Sequence, residues 1–356
     1  MNTAPSLKSK STARSKDALR PSQEGPNAKP NKSANSTKSA NSTKPAKSIP
    51  QHAQTDLKAL VGGQSVELLK ALHILTREGQ INQDSRRKLK QVNHLVQLLE
   101  GPLRACALEK GAGPDKPLTL VDHGAGKSYL GFILYDRFGA ERLLAAKVSS
   151  GDGEVGPEPI ALKVIAIETR AELVARSAQL AQDFGFTGMQ FLNVLAQNAG
   201  ALEGMPERVD VVTALHACDS LSDDAIEFAL AKHAKLIFLV PCCQAEAASV
   251  LKANRALLLD KTPLAELWRH PLHTRELGSQ LTNVMRCLYL EAMGYSVSVT
   301  ELVGWEHSMK NELIVAKYTG QAKKLAAQRL RALLKEFGLE SMMGSRFKRI
   351  EELAAL

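Results

Sequence analysis

Residues 118–130 have the sequence Leu-Thr-Leu-Val-Asp-His-Gly-Ala-Gly-Lys-Ser-Tyr-Leu, and this stretch decides the fold. The apolar residues before Asp122 predict a buried strand, and the residues from Tyr129 onward predict an amphipathic helix. Between them, Gly124 and Gly126 let the backbone approach a ligand closely. A helix that begins at such a turn presents free N–H groups and a positive dipole potential. The stretch therefore predicts a strand–turn–helix cradle for a nucleotide.

Three nucleotide-binding patterns share this outline, and their spacing separates them. The nicotinamide pattern G-x-G-x-x-G requires a third glycine, where this chain has Tyr129. The phosphate-binding pattern G-x-x-x-x-G-K-[ST] fits residues 126–128, but Val121 replaces its leading glycine. The pattern apolar-apolar-Asp-x-Gly-x-Gly-Lys at residues 120–127 instead resembles the first motif of class I S-adenosylmethionine (SAM) methyltransferases.

This resemblance implies that Asp122 and the glycine turn hold the methionine end of SAM. The position of Lys127 is open to two interpretations, since its ammonium suits a carboxylate or phosphate, while exposed lysines are also common at helix starts. The turn residues concerned are Gly124, Ala125, Gly126 and Lys127.

A second apolar strand, residues 162–167, is followed by Glu168. In a Rossmann-type sheet an acid at this place accepts hydrogen bonds from ribose hydroxyls, usually about 20 residues after the glycine turn. Here Glu168 follows Gly126 by 42 positions, and residues 149–159 are expected to absorb the excess as a surface loop. The alternative is that Glu168 caps a helix predicted at 169–184. Asn193, after the third strand, is expected to border the adenine.

Apolar strand patterns alternate with helical patterns, which predicts an α/β fold with a parallel, doubly wound sheet. The last two strands are joined by too few residues for a helical crossover, so they are expected to pair antiparallel. The resemblance thus implies a Rossmann-like seven-stranded class I methyltransferase sheet with a terminal antiparallel hairpin. The predicted strands lie near 118–122, 162–167, 188–193, 209–215, 235–240, 294–302 and 312–318.

Three further motifs resemble one branch of these enzymes. They are Leu-His-Ala-Cys at 215–218, Pro-Cys-Cys-Gln at 241–244 and His-Ser-Met-Lys-Asn at 307–311. The branch includes eukaryotic methyltransferase-like proteins and the glutathione-S-transferase-C-terminal-domain-containing protein, and a related Cys-Cys element occurs in a tRNA ribose methyltransferase family. One departure is Asp219, where the family often has glycine. The resemblance covers about residues 85–318.

His216 is the first candidate for a catalytic base, because imidazole titrates near neutrality. It is also expected to border the predicted cofactor site. Its alternative role is structural, with the ring bonded to loop carbonyls. Cys242 and Cys243 resemble the Pro-Cys-Gln nucleophile of cytosine-C5 methyltransferases, although an extra cysteine interrupts that pattern. Candidate substrate-binding residues, expected near the same predicted cofactor site, are Arg275, His307, Lys310 and Asn311.

A zinc site is not expected from this sequence. His123, His216 and three cysteines after the strands could meet at one edge, but the chain contains no C-x-x-C pair. The five cysteines include an odd one, and reduced thiols in the cytoplasm are the simplest explanation. The sequence contains no stretch that predicts a transmembrane helix, and a cytoplasmic protein that does not bind membranes is predicted.

The formal charge of +9 is concentrated at the two ends of the 356 residues. Residues 1–50 carry ten lysines and arginines against two acids, contain no aromatic residue and repeat Ser-Ala-Asn-Ser-Thr-Lys in tandem. They predict a disordered basic tail, which adds RNA affinity by counterion release or serves only as a solubilising extension. An organelle transit peptide is also compatible with this composition.

The predicted organisation has four parts. After the tail at 1–50, residues 51–108 form a helical accessory segment in which Ser65 caps a helix carrying Leu68, Leu69, Leu72 and Leu75. A second helix is expected from about Asp84 to Glu100, ending at Gly101-Pro102. Residues 109–320 form the SAM-binding methyltransferase domain, and 321–356 form a basic helical extension.

We therefore predict a SAM-dependent methyltransferase that acts on RNA, either tRNA or rRNA, or on a component of the translation apparatus. A protein methyltransferase and a non-catalytic RNA-binding or scaffold protein of the same fold remain alternatives. A P-loop ATPase is a further competitor, but neither strand 209–215 nor strand 235–240 ends in a magnesium-binding acid. The acceptor atom and the oligomeric state are not determined by the sequence.

Overall fold

The apolar runs of the sequence form the strands of one mixed sheet. A computed structural model describes residues 64–77, 83–139, 159–215, 220–241, 245–259, 262–302 and 312–351, all within one compact unit, Ile49–Leu356. The seven strands of the sheet in these ranges are β1 (Leu118–His123), β2 (Leu162–Glu168), β3 (Met189–Asn193), β4 (Val211–Leu215), β5 (Leu236–Val240), β6 (Tyr295–Glu301) and β7 (Glu312–Tyr318).

The strand order is β3-β2-β1-β4-β5-β7-β6, with β1 at the centre of the parallel part. Neighbouring strands from β3 to β5 pair parallel, whereas β7 runs antiparallel to both β5 and β6. The predicted α/β fold with a terminal antiparallel hairpin is confirmed.

Helices cover both faces of this sheet. Short 3-10 turns occur at Ala196–Ala201, Pro263–Trp268, Glu340–Met342 and Lys348–Ile350. The α-helices of the described ranges are α1 (Val66–Ala71), α2 (Gln83–Lys110), α3 (Tyr129–Phe138), α4 (Ala171–Asp183), α5 (Leu221–Ala231), α6 (Ala245–Leu259), α7 (Pro271–Ala292), α8 (Lys324–Glu336) and α9 (Met343–Arg346).

The two N-terminal helices differ from the prediction in length. Ser65 caps α1 as expected, since its hydroxyl accepts from the Leu68 N–H at 3.3 Å, but the helix ends at Ala71. The second helix does not stop at Gly101-Pro102, and the prediction that it does is wrong. Its apolar stripe continues through Leu103, which is 1% exposed, and burial of this stripe outweighs the backbone hydrogen bond that a proline removes.

Two apolar cores lie on the two faces of the sheet. Leu118 and Leu120 pack with the buried residues of α1, α2 and α3. Val121 belongs to the other core, which includes α5, α7 and the apolar face of α8. The N-terminal and C-terminal helices therefore share buried cores with the strands of the sheet. The four-part division of the chain stays a prediction.

Within the described ranges, no helix combines the length and the apolar character that crossing a membrane would require.

A buried polar network attaches the C-terminal helices to the rest of the fold. Arg286 on α7 is 1% exposed and donates through Nε and Nη2 to the Asp223 carboxylate on α5, at 2.6 and 2.9 Å. Arg346 and Arg349 pair with glutamates of α6 and α5. Part of the positive charge of residues 321–356 is therefore neutralised within the fold.

Arg286→Leu is expected to lower the free energy of unfolding by about 3–5 kcal/mol, because it leaves a buried carboxylate without its bidentate partner. Urea denaturation measures this loss, with exposed Arg329→Leu on α8 as the control. The double variant Arg286→Leu/Asp223→Leu should recover most of the stability, since no unpaired charge remains. An equally large loss in the double variant would contradict an electrostatic origin.

Candidate functional site

The central strand β1 has parallel neighbours on both sides, β2 on one edge and β4 on the other. The direction in which successive strands are added to the sheet therefore reverses at β1. Ligands of open α/β sheets bind beyond the carboxyl ends of the strands at such a reversal. The sequence stretch that follows β1 is the glycine turn, so the fold brings the predicted cofactor residues to this place.

The turn between β1 and α3 alternates in backbone conformation. Gly124, Gly126 and Ser128 have φ angles of 64°, 58° and 53°, all in the left-handed region. Glycine adopts this region readily, whereas Ser128 does so at a conformational cost. The hydroxyl oxygen of Ser128 is buried and has no hydrogen-bond partner among the described residues. A strained, buried polar residue at a turn is a feature of ligand-binding sites.

Glu168 joins the end of β2 to this turn. Its Oε2 accepts from the Gly126 N–H at 2.9 Å, and its Oε1 accepts from the Arg170 N–H at 3.0 Å. The Arg170 guanidinium also donates to both carboxylate oxygens. Burial by itself raises the pKa of Glu168, but the hydrogen bonds and charge of Arg170, together with the Gly126 N–H, outweigh it and lower the pKa to about 2. Glu168 is therefore ionised at neutral pH.

Asp122 lies in β1 and is 3% exposed. The Thr213 hydroxyl of β4 donates to its Oδ1 at 2.6 Å. Burial raises the pKa of Asp122 to about 7, although the hydrogen bond from Thr213 opposes this shift. At neutral pH the carboxyl is consequently balanced between its neutral and its charged form, and a nearby cation would favour the charged form.

His123, the next residue of β1, is fully buried and packs edge-on against Phe228 with a ring-centroid separation of 4.4 Å. Neither ring nitrogen has a hydrogen-bond partner in the part of the chain that the structure describes. Burial lowers the pKa of His123 to about 3, so the imidazole is neutral at physiological pH.

Asn193, the last residue of β3, lies beside the end of β2. Its Nδ2 donates to the backbone carbonyls of Glu168 and Thr169, at 3.1 and 2.8 Å. This contact fixes the side chain beside the end of β2. Lys127 is exposed, and its Nζ lies 5.9 Å from the centre of the Tyr129 ring.

Several predicted residues lie outside the described ranges, so the structure does not locate them: His216, Cys242, Cys243, His307, Lys310 and Asn311. Arg275 is described and lies exposed near the start of α7, where its Nη2 is 2.9 Å from the carboxylate of its neighbour Glu276. The structure thus brings together Asp122, residues 124–127, Glu168 and Asn193.

Three polar residues of the site were not assigned a role from the sequence. Thr213 pairs in register with Asp122 on the neighbouring strand, and a polar residue inside the apolar run of β4 was the available signal. Arg170 follows Glu168 by two positions, which allows the two side chains to meet beyond the strand end. Ser128 matched only the tail of the phosphate-binding pattern in the sequence, and its left-handed backbone is visible only in the folded chain.

Comparison with known proteins supports the methyltransferase interpretation. Residues 87–250 match the family model described as "Methyltransferase domain". A search of curated proteins found no sequence that matches this chain.

Solved structures that match this chain include the fibrillarin pre-rRNA processing protein of Methanococcus jannaschii, with 14% identity over 61% of this chain and 74% of that chain and a TM-score of 0.33. An rRNA methylase from Streptococcus thermophilus is 10% identical over 60% of this chain and 92% of that chain, with a TM-score of 0.33. A SAM-dependent methyltransferase from Aquifex aeolicus is 18% identical over 57% of this chain and 82% of that chain, with a TM-score of 0.30.

The chain has a methyltransferase-like Rossmann fold. Within it, residues 87–250 are similar to a methyltransferase domain.

Proposed function

We propose that this chain is a SAM-dependent methyltransferase whose cofactor lies across the carboxyl ends of β1 and β2. One observation carries the proposal, the 2.9 Å hydrogen bond from the Gly126 N–H to the Glu168 carboxylate. It joins the glycine turn to the acid that follows the second strand, although the two are far apart in the sequence. In this proposal the turn holds the methionine end of SAM, and the acid accepts hydrogen bonds from its ribose.

The same contact argues against ligands that place a phosphate at this turn. In a phosphate-binding loop, backbone N–H groups face the phosphate oxygens. Here an ionised carboxylate faces the Gly126 N–H, and it would repel a phosphate brought beside it. ATP is disfavoured for this reason, because its triphosphate carries more negative charge than the single carboxylate of SAM. SAM also offers ribose hydroxyls as donors to Glu168.

The buried polar groups fit the rest of SAM. Its amino group and sulfonium are cationic, and a cation beside Asp122 would stabilise the ionised carboxyl that burial disfavours. At Gly126 an added Cβ would be in ordinary van der Waals contact with Arg170 Nη2, at 3.8 Å, so the Arg170 side chain lies beside this part of the turn.

In this proposal each residue has a binding role. Asp122 and residues 124–127 hold the methionine end, Glu168 accepts from the ribose, and the Asn193 Oδ1 accepts from the adenine amino group. When bound, SAM supplies an activated methyl group. Holding the acceptor in line with that methyl group supplies most of the rate enhancement, because a positioned reaction avoids the entropic cost of bringing the reactants together.

The catalytic side chains are proposed from the sequence. His216 follows β4 directly, so it would lie at the same edge of the sheet and serve as a base toward a weakly acidic acceptor. It would also border the cofactor. Attack by a thiolate of Cys242 or Cys243 is the alternative, which requires local activation of that thiol.

RNA, either tRNA or rRNA, is the proposed substrate, and the support for it is the basic tail at residues 1–50. A protein of the translation apparatus is the alternative acceptor, and a non-catalytic RNA-binding or scaffold role is the alternative from another class. Part of the charge in 321–356 is neutralised by ion pairs, so the tail carries more of this argument than the C-terminal extension. We further propose a cytoplasmic location.

Transfer of tritium from methyl-labelled SAM tests the function and the acceptor together. The full-length chain should label tRNA or rRNA, and the label should be released by ribonuclease and not by protease. His216→Gln should lower the turnover number by about 10²- to 10⁴-fold, the usual contribution of a general base. Cys242→Ser and Cys243→Ser are the matched controls and should retain turnover. Label in protein would select the alternative acceptor, and no label in either would favour the scaffold role.

Asp122→Asn should abolish SAM binding while stabilising the cofactor-free protein. Because the pKa of Asp122 rises from 3.8 to about 7 on folding, the carboxyl opposes folding increasingly as the pH rises through that window. The variant should gain up to about 4 kcal/mol of unfolding free energy at pH 8, and less than about half of that at pH 5. Urea denaturation at both pH values measures the gain.

The control for this substitution is Asp115→Asn, which removes the same charge from an exposed position. It should change neither stability nor SAM affinity appreciably. A gain of equal size at both pH values, or unchanged SAM affinity in Asp122→Asn, would contradict the assigned role.

A further inference from the structure

The Glu168 carboxylate is saturated with hydrogen bonds. Among the described residues, five N–H or O–H groups reach its two oxygens, and their distances range from 2.9 to 3.3 Å. An ionised carboxylate offers about four lone-pair positions. Ribose hydroxyls can therefore bond Glu168 only if present donors leave. The donors are Gly126 N, Thr169 Oγ1 and Arg170 N, Nε and Nη2.

Only part of this donor set is free to move away. The Gly126 and Arg170 N–H groups belong to the backbone of the turn and of the start of α4. The Arg170 side chain is 60% exposed, whereas that of Glu168 is 7% exposed. The guanidinium also lies over the turn, as its Nη2 is 3.8 Å from the position of a Cβ on Gly126. The guanidinium thus lies beside both the carboxylate and the glycine turn.

We propose that Arg170 is an exchangeable latch on the cofactor site: its guanidinium holds Glu168 in the cofactor-free chain and leaves when the ribose binds. The inference rests on the proposed function and assigns it a positioning residue. The exchange is balanced, because the guanidinium gives up two N–H···O bonds and the ribose diol supplies two O–H donors. The two backbone N–H groups stay and keep the carboxylate in place.

The latch makes cofactor affinity depend on an ion pair that the ligand itself must break. The apparent association constant equals the intrinsic constant of the open form multiplied by the fraction of molecules in which the latch is open. Arg170→Ala opens the site permanently, while the Gly126 and residue-170 backbone donors still orient Glu168. We expect the variant to bind S-adenosylhomocysteine about two- to fivefold more tightly, the factor expected for a partly exposed ion pair.

Calorimetry on the full-length chain tests this expectation with S-adenosylhomocysteine and its 2′,3′-dideoxy analogue. Arg170→Ala should tighten binding of the diol ligand and leave the affinity of the dideoxy analogue unchanged, because only the diol competes with the guanidinium. Arg176→Ala is the matched control, since it removes an exposed arginine from the same helix. Weaker binding of the diol ligand by Arg170→Ala, or equal changes for both ligands, would overturn the latch.

A spectroscopic readout separates displacement from a general charge effect. The NMR signal of the Arg170 Nε–H can be assigned by its loss in Arg170→Ala. Its chemical shift should change when S-adenosylhomocysteine is added and should not change with the dideoxy analogue. An unshifted signal with the diol ligand bound would show that the guanidinium stays on Glu168 and would overturn the proposal. If the wild-type chain binds neither ligand, the proposed function itself fails, an outcome distinct from failure of the latch alone.

Discussion

Pairing of β1 on both edges is the constraint on which the site depends. A buried strand must satisfy all of its backbone N–H and C=O groups, and β2 and β4 do this for β1. The resulting register places Asp122 opposite Thr213 and brings the glycine turn against Glu168. A slip of one residue would turn Asp122 and His123 to the opposite faces of the sheet, so the register and the site are specified together.

The end of β1 carries polar groups where apolar ones would be more stable. The pKa of Asp122 is raised to about 7, so this carboxyl opposes folding as the pH rises toward neutrality. The pKa of His123 is lowered to about 3, so this imidazole opposes folding as the pH falls below its unfolded value of 6.5. Ser128 adds a left-handed backbone and a hydroxyl that has no partner among the described residues. Such departures from a stable core are concentrated where a ligand is proposed to bind, which is the pattern expected of a functional site.

The strands and their directions could be predicted from the sequence, because long apolar runs and short connections leave few alternatives. The shared location of Gly126 and Glu168 was predicted by the same reasoning, since adjacent parallel strands end at one edge, but the hydrogen bond between them was not. The length of α2 could not be predicted, as Gly101-Pro102 is a strong local stop signal that the burial of Leu103 overrides. The roles of Thr213 and Arg170 depend on contacts between side chains that the sequence permits but does not specify, since a polar residue in a strand and a spacing of two residues are compatible with many other arrangements.

The central claim is that the edge formed by β1 and β2 is a SAM site, and calorimetric titration of the full-length chain tests it most directly. The account predicts that SAM and S-adenosylhomocysteine each bind at one site per chain. ATP should not bind, because its triphosphate would meet the Glu168 carboxylate, and NAD should not bind, because Tyr129 takes the place of the third glycine of its motif. Absence of binding by both SAM and S-adenosylhomocysteine, or binding of ATP in their place, would contradict the account.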